Sequence, residues 1–270
     1  GQVKKVHPHD YALKDAEKAN GDFLMCSYTP VTDITIEASV AGADDIPEQR
    51  VPAKVKSVEL LSEQVAALHL LAPRSQRLRF LAGQYVTLSA DGAEGDFYIA
   101  SCPCEDRHIE LHIRRDSRPF ARKVFESLSK EDVVRIEGPH GQFVMKLDSR
   151  RTIIFVAVGD AFGPIKSLIQ HAMSLEIAES MHLYWVADRL GQYQDNLCRA
   201  WADAYDDFHY VPLPATEDVS ELVARILEIH PKLQRTDIYA AGPTTLVQAL
   251  EAEAAARGLS PLGWHGEVFE

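Results

Sequence analysis

Residues 151–172 of the chain are Arg-Thr-Ile-Ile-Phe-Val-Ala-Val-Gly-Asp-Ala-Phe-Gly-Pro-Ile-Lys-Ser-Leu-Ile-Gln-His-Ala. The first seven residues are mostly apolar and β-branched, which predicts a buried strand. A short turn with Gly159 and Asp160 follows, and the run from Pro164 onwards predicts a helix. A strand, a glycine-containing turn and a helix, in this order, bring backbone N–H groups and a helix N-terminus to a phosphate. This stretch therefore predicts an α/β unit of the nucleotide-binding type.

The same alternation continues to the end of the chain. Further strands are predicted at 181–186, 208–213 and 237–241, and helices near 164–175, 196–205, 219–229 and 245–257. Strands that alternate with helices of this length are typical of a parallel sheet with helices on both faces. We therefore expect a doubly wound α/β domain over residues 149–270.

A different rhythm precedes this domain. Short alternating runs predict six strands, at 55–61, 65–71, 85–89, 97–101, 108–114 and 133–137, with one helix around 120–128. Several strands at short spacing favour a small antiparallel β barrel, which we expect over residues 46–148. Residues 1–45 predict short strands at 1–6, 22–26 and 33–37, and residues 38–52 have the composition of a linker.

Composition limits the classes of function. The 270 residues are 46% hydrophobic and 25% charged, with a net charge of −12, which disfavours nucleic acid and anionic membrane surfaces as partners. No apolar run is long enough for a membrane span, and no secretory signal is visible. Four cysteines are too few for a disulfide scaffold, so we expect a reduced, cytoplasmic protein. The pair Cys102 and Cys104 lacks zinc spacing, and a metal or redox role is the minority interpretation.

Local motifs add a family resemblance. The segments that carry it are Leu81-Ala-Gly-Gln-Tyr-Val86, Tyr98-Ile-Ala-Ser101, Glu110-Leu-His-Ile-Arg-Arg115, Ile136-Glu-Gly-Pro-His-Gly-Gln-Phe143 and Tyr239-Ala-Ala-Gly-Pro243. Their order resembles the ferredoxin–NADP reductase superfamily, in particular CDP-6-deoxyglucoseen reductases and reductase components of aromatic-ring oxygenases. Residues 1–40 resemble the second half of a plant-type [2Fe–2S] ferredoxin domain of the β-grasp type.

The resemblance implies a set of site residues. The FAD site would include Phe97, Tyr98, Ala100, Ser101, His112, Ile113, Arg114 and Phe120. The NAD(P)H side would include Gly159, Asp160, Pro164, Gly242 and Pro243, and the C-terminal Glu267 and Phe269 would take part in catalysis beside the flavin ring. Cys26 would be one ligand of a [2Fe–2S] cluster, expected only if the other three cysteines lie before Gly1, because such a cluster needs four thiolates.

Two functions follow from the resemblance. The first is an NAD(P)H-dependent flavoprotein reductase that passes electrons through FAD to an iron–sulfur centre or to a partner, such as an oxygenase or dehydratase component. The second is a pseudo-reductase that keeps the fold and serves as an interaction subunit. Departures from the family pattern motivate the second function. Gly95 replaces a phosphate-binding arginine, and Ala241 replaces a cysteine. Ser117-Arg-Pro-Phe-Ala121 replaces a Gly-Gly-x-x-Ser motif, and Val158-Gly-Asp-Ala161 replaces a Gly-Gly-Thr-Gly turn.

Overall fold

The structure, a computed structural model, describes residues 1–6, 19, 21–36, 45–105, 107–146, 151–188, 191–214, 216 and 218–269. The chain divides into two compact units, Gly1–Ala41 and Gly42–Glu270. The domain boundary that the sequence places between residues 148 and 149 lies inside the second unit and stays a prediction.

The first unit contains a two-stranded antiparallel sheet. Strand β1 is Val3–Lys5, and β2 is Tyr28–Pro30, with Val3 opposite Pro30. The predicted strand at 22–26 is wrong, because the Ser27 N–H donates to the Leu24 carbonyl and closes a 3₁₀ turn over Met25–Ser27. Residues 33–36 of the predicted strand at 33–37 are not in a strand, and residue 37 lies outside the described residues.

A six-stranded antiparallel sheet opens the second unit and confirms the predicted barrel. Its strands are β3 Gln49–Leu60, β4 Val65–Leu71, β5 Tyr85–Ala90, β6 Ala93–Tyr98, β7 His108–Arg114 and β8 Val133–His140. Their order across the sheet is β6-β5-β8-β3-β4-β7. A bridge between Ile99 and Leu111 joins the two outer edges, so the sheet curls towards closure.

Strand β3 bends this sheet because it pairs with β8 along its first half and with β4 along its second half. The change of partner coincides with a register shift between Val55 and Ser57. The linker predicted to extend to Pro52 therefore ends earlier. Val51 and Ala53 are fully buried on either side of Pro52, and this alternation places the segment in the sheet.

Helix α1, Pro119–Glu126, covers one end of the barrel. Phe120 and Ala121 are fully buried, and Val124 is nearly so, within the barrel core. Proline at the first helical position is favourable, since that position has no intrahelical N–H bond to lose. The helix predicted around 120–128 is thus confirmed, with its end two residues earlier.

The rest of the second unit is the predicted doubly wound domain. Its strands are β9 Thr152–Val158, β10 Ser180–Val186, β11 Phe208–Leu213, β12 Thr236–Gly242 and β13 Trp264–Val268. All are parallel, in the order β11-β10-β9-β12-β13. The helices are α2 Phe162–Leu175, α3 Asp195–Ala204, α4 Val219–Leu227 and α5 Thr244–Ala256. Strand β13 was not predicted as a strand.

Alternate strand residues point to opposite layers, as the two cores of this domain show. Phe155 and Leu183 pack with α2 in one core. Val156 and Tyr184 pack with α4 and α5 in the other. Of the helices that the structure describes, none is long and apolar enough to cross a bilayer.

Candidate active site

A cavity of about 470 Å³ lies where the N-termini of α1 and α2 approach strands β6 and β7 and the C-terminal residues. This volume is within the range of small-molecule sites. Seven residues predicted from the sequence line it: Phe97, Tyr98, His112, Arg114, Asp160, Pro164 and Phe269. The fold therefore brings together residues from the barrel, from the turn after β9 and from the C-terminus.

Tyr98 and Phe269 form an aromatic wall of this cavity. Their ring centroids are 4.8 Å apart with planes inclined by 36°. The Tyr98 hydroxyl donates to Glu267 Oε1 at 2.6 Å, and burial together with this bond raises the pKa of Tyr98. The Phe269 N–H donates to the Gly242 carbonyl at 2.9 Å. The C-terminal segment is therefore held between β6 and β12.

Phe97 lies mostly in the barrel core and presents only an edge to the cavity. It is 4% exposed, and its ring centroid is 5.6 Å from that of Phe120. A Cβ at Gly95 would approach the Phe97 ring at 3.0 Å, so the glycine gives this ring its space. The Arg118 guanidinium carbon lies 5.0 Å from the centre of the ring. Of the two aromatic residues in this strand, Tyr98 is the more accessible.

The cations of the cavity are already paired with carboxylates. Arg114 Nη1 lies 3.6 Å from Asp160 Oδ1, and Arg118 Nη2 lies 2.7 Å from Asp116 Oδ2. Asp116 Oδ1 also accepts the Arg118 backbone N–H at 2.9 Å, directly before α1. Burial raises the pKa of Asp160, although the charge of Arg114 opposes this. An anionic ligand must therefore compete with carboxylates for both arginines.

The turn after β9, residues 158–161, is acidic on its cavity side and is called the acidic turn below. Gly159 has a φ of +54°, and a Cβ at this position would collide with the carboxylate of Asp188. The Trp185 indole N–H donates to the Gly159 carbonyl at 3.1 Å and fixes the turn from below. Because Asp188 also raises the pKa of Asp160, two carboxylates repel each other here.

A buried polar network joins β7 to α2 beside the cavity. Lys166, 3% exposed, donates through Nζ to Glu110 Oε2 at 2.8 Å and to the Ala100 carbonyl at 3.2 Å. His112 Nε2 lies 2.8 Å from Glu110 Oε1, and its Nδ1 lies 3.1 Å from the Tyr193 hydroxyl. We call Ala100, Glu110, His112, Lys166 and Tyr193 the polar seam.

The surroundings of His112 and Glu110 in the seam determine the protonation states of these two side chains. Burial lowers the pKa of His112 despite the bond to Glu110, so the imidazole is neutral. A neutral imidazole with its proton on Nε2 donates to Glu110 and accepts from Tyr193 through Nδ1. Burial alone would raise the pKa of Glu110, but the bond from His112 and the charge of Lys166 outweigh it and hold the pKa at about 2.

The remaining predicted residues are not among those that line the cavity. Ser101, like Ala100, binds α2 through its carbonyl, which accepts from Ser167 Oγ at 2.7 Å. Ile113 and Phe120 are fully buried in the barrel core. Gly242 ends β12, and Pro243 directly precedes α5. Glu267 accepts a hydrogen bond from Tyr98, and Cys26 lies in the 3₁₀ turn of the first unit. These roles remain predictions.

Sequence reasoning missed Asp116, Lys166 and Tyr193 as partners in the site. One signal was present for Lys166, since it interrupts the apolar run from Ile165 to Ile169 at the start of a buried helix. A lysine at such a position needs a buried acceptor. The acceptor, Glu110, is 56 residues away in the sequence and could not be identified without the fold.

The comparisons with known proteins identify the class. Residues 52–145 match the family described as "Oxidoreductase FAD-binding domain". Together with the doubly wound domain, this confirms the predicted relationship to reductases of the ferredoxin reductase type. The barrel is therefore of the FAD-binding oxidoreductase type, and the alternative of a pseudo-reductase gains no support.

Particular relatives agree over most of the chain. It is 28% identical over 265 residues to "CDP-6-deoxy-L-threo-D-glycero-4-hexulose-3-dehydrase reductase" of Yersinia pestis, covering 95% of this chain and 80% of that protein. It is 28% identical over 256 residues to "Terephthalate 1,2-dioxygenase, reductase component 1" of Comamonas sp, covering 91% and 76%. The fold matches the Amycolatopsis cytochrome P450 reductase GcoB with a TM-score of 0.72 at 23% identity, covering 100% of this chain and 84% of that one.

The residues of the cavity fit FAD. The rings of Tyr98 and Phe269 offer an apolar, π-rich surface of the kind on which a flavin ring packs. Arg114 and Arg118, the second at the N-terminus of α1, offer two cations for a pyrophosphate. The carboxylates paired with these arginines weaken this binding without closing the cavity.

Proposed function

We propose that this protein binds FAD in the cavity, takes reducing equivalents from NAD(P)H and delivers electrons to a partner protein. The observation that supports this proposal best is the cavity itself. It combines an aromatic wall with two arginines at the boundary between the barrel and the α/β domain. When bound, FAD supplies the ability to accept two electrons at once and to release them one at a time.

The protein's own residues would position the cofactor and exclude water. Arg114 and Arg118 would hold the pyrophosphate after leaving Asp160 and Asp116, and Tyr98 would lie against the ring. Phe269 covers Tyr98 and would keep solvent from the ring until a nicotinamide takes its place. Glu267 fixes the Tyr98 hydroxyl and so sets the orientation of the wall.

We assign the nicotinamide dinucleotide to the side of the cavity formed by the α/β domain. Gly159 and Pro164 border the N-terminus of α2, and Gly242 and Pro243 border that of α5. Helix N-termini stabilise phosphate charge through free N–H groups and the helix dipole. The carboxylates of the acidic turn oppose a pyrophosphate, so we expect weak nucleotide binding.

We propose that the acceptor is an oxygenase or dehydratase component, because the relatives are reductases of dehydrase and dioxygenase systems. A net charge of −12 suits a partner with a basic docking face. A [2Fe–2S] centre that includes Cys26 and a cytoplasmic location are further parts of this proposal.

A visible absorption spectrum tests the proposal. The purified protein is incubated with FAD, freed of unbound flavin and mixed with NADH or NADPH. Protein-bound flavin bands that bleach with either nucleotide support the function. A colourless protein, or bound flavin that neither nucleotide reduces, would overturn it.

A matched pair of variants locates the flavin. Arg118→Gln should weaken FAD binding by about tenfold to a hundredfold, because it removes one charge-assisted phosphate contact. Arg122→Gln removes an arginine one turn further along α1 that is exposed and does not line the cavity, so it should leave the affinity unchanged. Equal losses in the two variants would show that Arg118 has no special role.

A further inference from the structure

The Cys102-Pro103-Cys104 segment follows directly after the strand that carries Tyr98. Cys102 and Cys104 form a disulfide across one intervening residue, with their Cα atoms 5.2 Å apart. In the sequence, a metal or redox role for this pair is the minority interpretation, whereas the structure joins the two sulfurs covalently. Neither sulfur lines the flavin cavity, so this is a second chemical feature of the chain.

The two sulfurs lie in different surroundings. Cys104 is exposed, whereas Cys102 is only 5% exposed. An incoming thiolate can therefore reach the sulfur of Cys104 and displace that of Cys102. In thiol–disulfide exchange a thiolate attacks one sulfur while the other leaves, and the difference in access directs the attack to Cys104.

Polar groups surround the leaving sulfur. His171 Nδ1 lies 3.7 Å from Cys102 Sγ and Ser174 Oγ lies 3.9 Å from it, both on α2. The Cys104 N–H donates to the same sulfur at 3.3 Å. Burial lowers the pKa of His171, so its imidazole is neutral, and with its proton on Nδ1 it donates to the Cys102 sulfur. These contacts stabilise a thiolate on Cys102 and lower the barrier to its release.

The backbone holds the pair close together in either redox state. Helix α2 fixes the residue before Cys102, because Ser167 Oγ donates to the Ser101 carbonyl at 2.7 Å. Pro103 restricts φ between the two cysteines. The buried Cys198, by contrast, is free and fully buried, and burial raises its pKa, so it is a built-in unreactive control.

We propose that Cys102 and Cys104 are a reversible dithiol–disulfide site that takes electrons from an external dithiol. A thiolate of that dithiol attacks Cys104 Sγ and forms a mixed disulfide, and the S–S electron pair moves to Cys102 Sγ. The second thiol of the reductant, as a thiolate, then attacks the sulfur atom that the reductant contributed to the mixed disulfide. This attack releases Cys104 as a thiolate. Both cysteine thiolates take up protons from solvent, and the reductant leaves as a disulfide.

Thiol labelling of the folded full chain in dithiothreitol redox buffers tests this proposal. Without reductant, iodoacetamide should label neither Cys102 nor Cys104. As the buffer becomes more reducing, both should become labelled in one two-electron transition, while Cys198 stays unlabelled. Labelling of both residues before any reduction, or a disulfide that dithiothreitol does not open in the folded protein, would overturn the proposal. No flavin is needed, so the result is independent of the proposed reductase function.

Two histidine variants test the role of the surroundings. His171→Ala should slow reduction by dithiothreitol about tenfold, because the departing Cys102 sulfur loses a charge-assisted partner. His209→Ala removes a histidine on β11 that contacts His182, and it should leave the rate unchanged. Equal rates in His171→Ala and the unmodified protein would remove His171 from the proposed chemistry.

Discussion

At the polar seam, Lys166 Nζ lies 2.8 Å from Glu110 Oε2. The two ring nitrogens of His112 are also paired there, with Glu110 and with the Tyr193 hydroxyl. At the acidic turn, Asp160 and Asp188 carry the same charge, and Arg114 approaches Asp160 only to 3.6 Å. Both regions border the same boundary between the barrel and the α/β domain. The paired charges of the seam stabilise the fold. The carboxylates at the acidic turn lie instead where we propose that a ligand with phosphate groups binds.

The difference shows how the two regions respond to a lost charge. In the seam, the desolvation cost of Glu110 is met only while its partners are present. In the turn, the charge on Asp160 opposes folding as well as phosphate binding, so its removal relieves repulsion. Mutations that neutralise one residue should therefore have opposite effects in the two regions.

The largest expected effect is at Lys166. Lys166→Met leaves the Glu110 carboxylate buried without its cation, and we expect a loss of about 3–5 kcal/mol in the free energy of unfolding. Urea denaturation at neutral pH measures this loss. Adding Glu110→Gln to the same chain should recover most of it, because the buried charge is then gone.

An exposed ion pair provides the control for this experiment. Lys54 Nζ lies 2.9 Å from Glu131 Oε2, with both side chains more than half exposed to solvent. Lys54→Met should leave the denaturation midpoint unchanged. If Lys54→Met and Lys166→Met lowered stability equally, the seam would be no more than a surface ion pair.

A smaller effect is expected from acid. The pKa of Glu110 is lowered from 4.5 to about 2, so its contribution to stability is complete above 4.5 and is lost as the pH falls towards 2. The shift corresponds to about 3 kcal/mol. Glu110→Gln should flatten the curve of unfolding free energy against pH in this window. A curve as steep as that of the unmodified protein would show that other carboxylates cause the acid loss.

The strands and helices were largely predictable because each depends on local periodicity. Strand β9 and helix α2 follow from apolar residues in the sequence alone, and their bounds agree with the prediction within two residues. Strand β13 was missed since its residues are only half-buried and mix polar with aromatic side chains. It is placed by its pairing with β12 and not by its own pattern.

The site was predictable in position but not in its pairings. Motifs assigned Tyr98 and Arg114 to FAD and Asp160 to the NAD(P)H side, and one cavity is lined by all three. The seam could not be read from sequence, because His112 and Tyr193 are 81 residues apart. Such contacts arise from packing between domains, which no local periodicity encodes.

The smallest effect that separates the two regions is at Asp160. Asp160→Asn should tighten NAD(P)H or FAD binding by about threefold to tenfold, because it removes one repulsive charge and frees Arg114 for phosphate. Asp203→Asn, an exposed change of equal charge on α3, should leave binding unchanged. Both affinities can be measured by fluorescence titration.

The pH dependence of binding distinguishes a local charge from a general one. Because burial raises the pKa of Asp160, acidification protonates it before an ordinary aspartate, so binding to the unmodified protein should tighten as the pH falls towards that pKa. Asp160→Asn should lose this gain, and Asp203→Asn should retain it. If the gain survived in Asp160→Asn, the repulsion of the ligand would come from Asp188 or from the net charge of the protein. Asp160 would then not be the group that opposes binding.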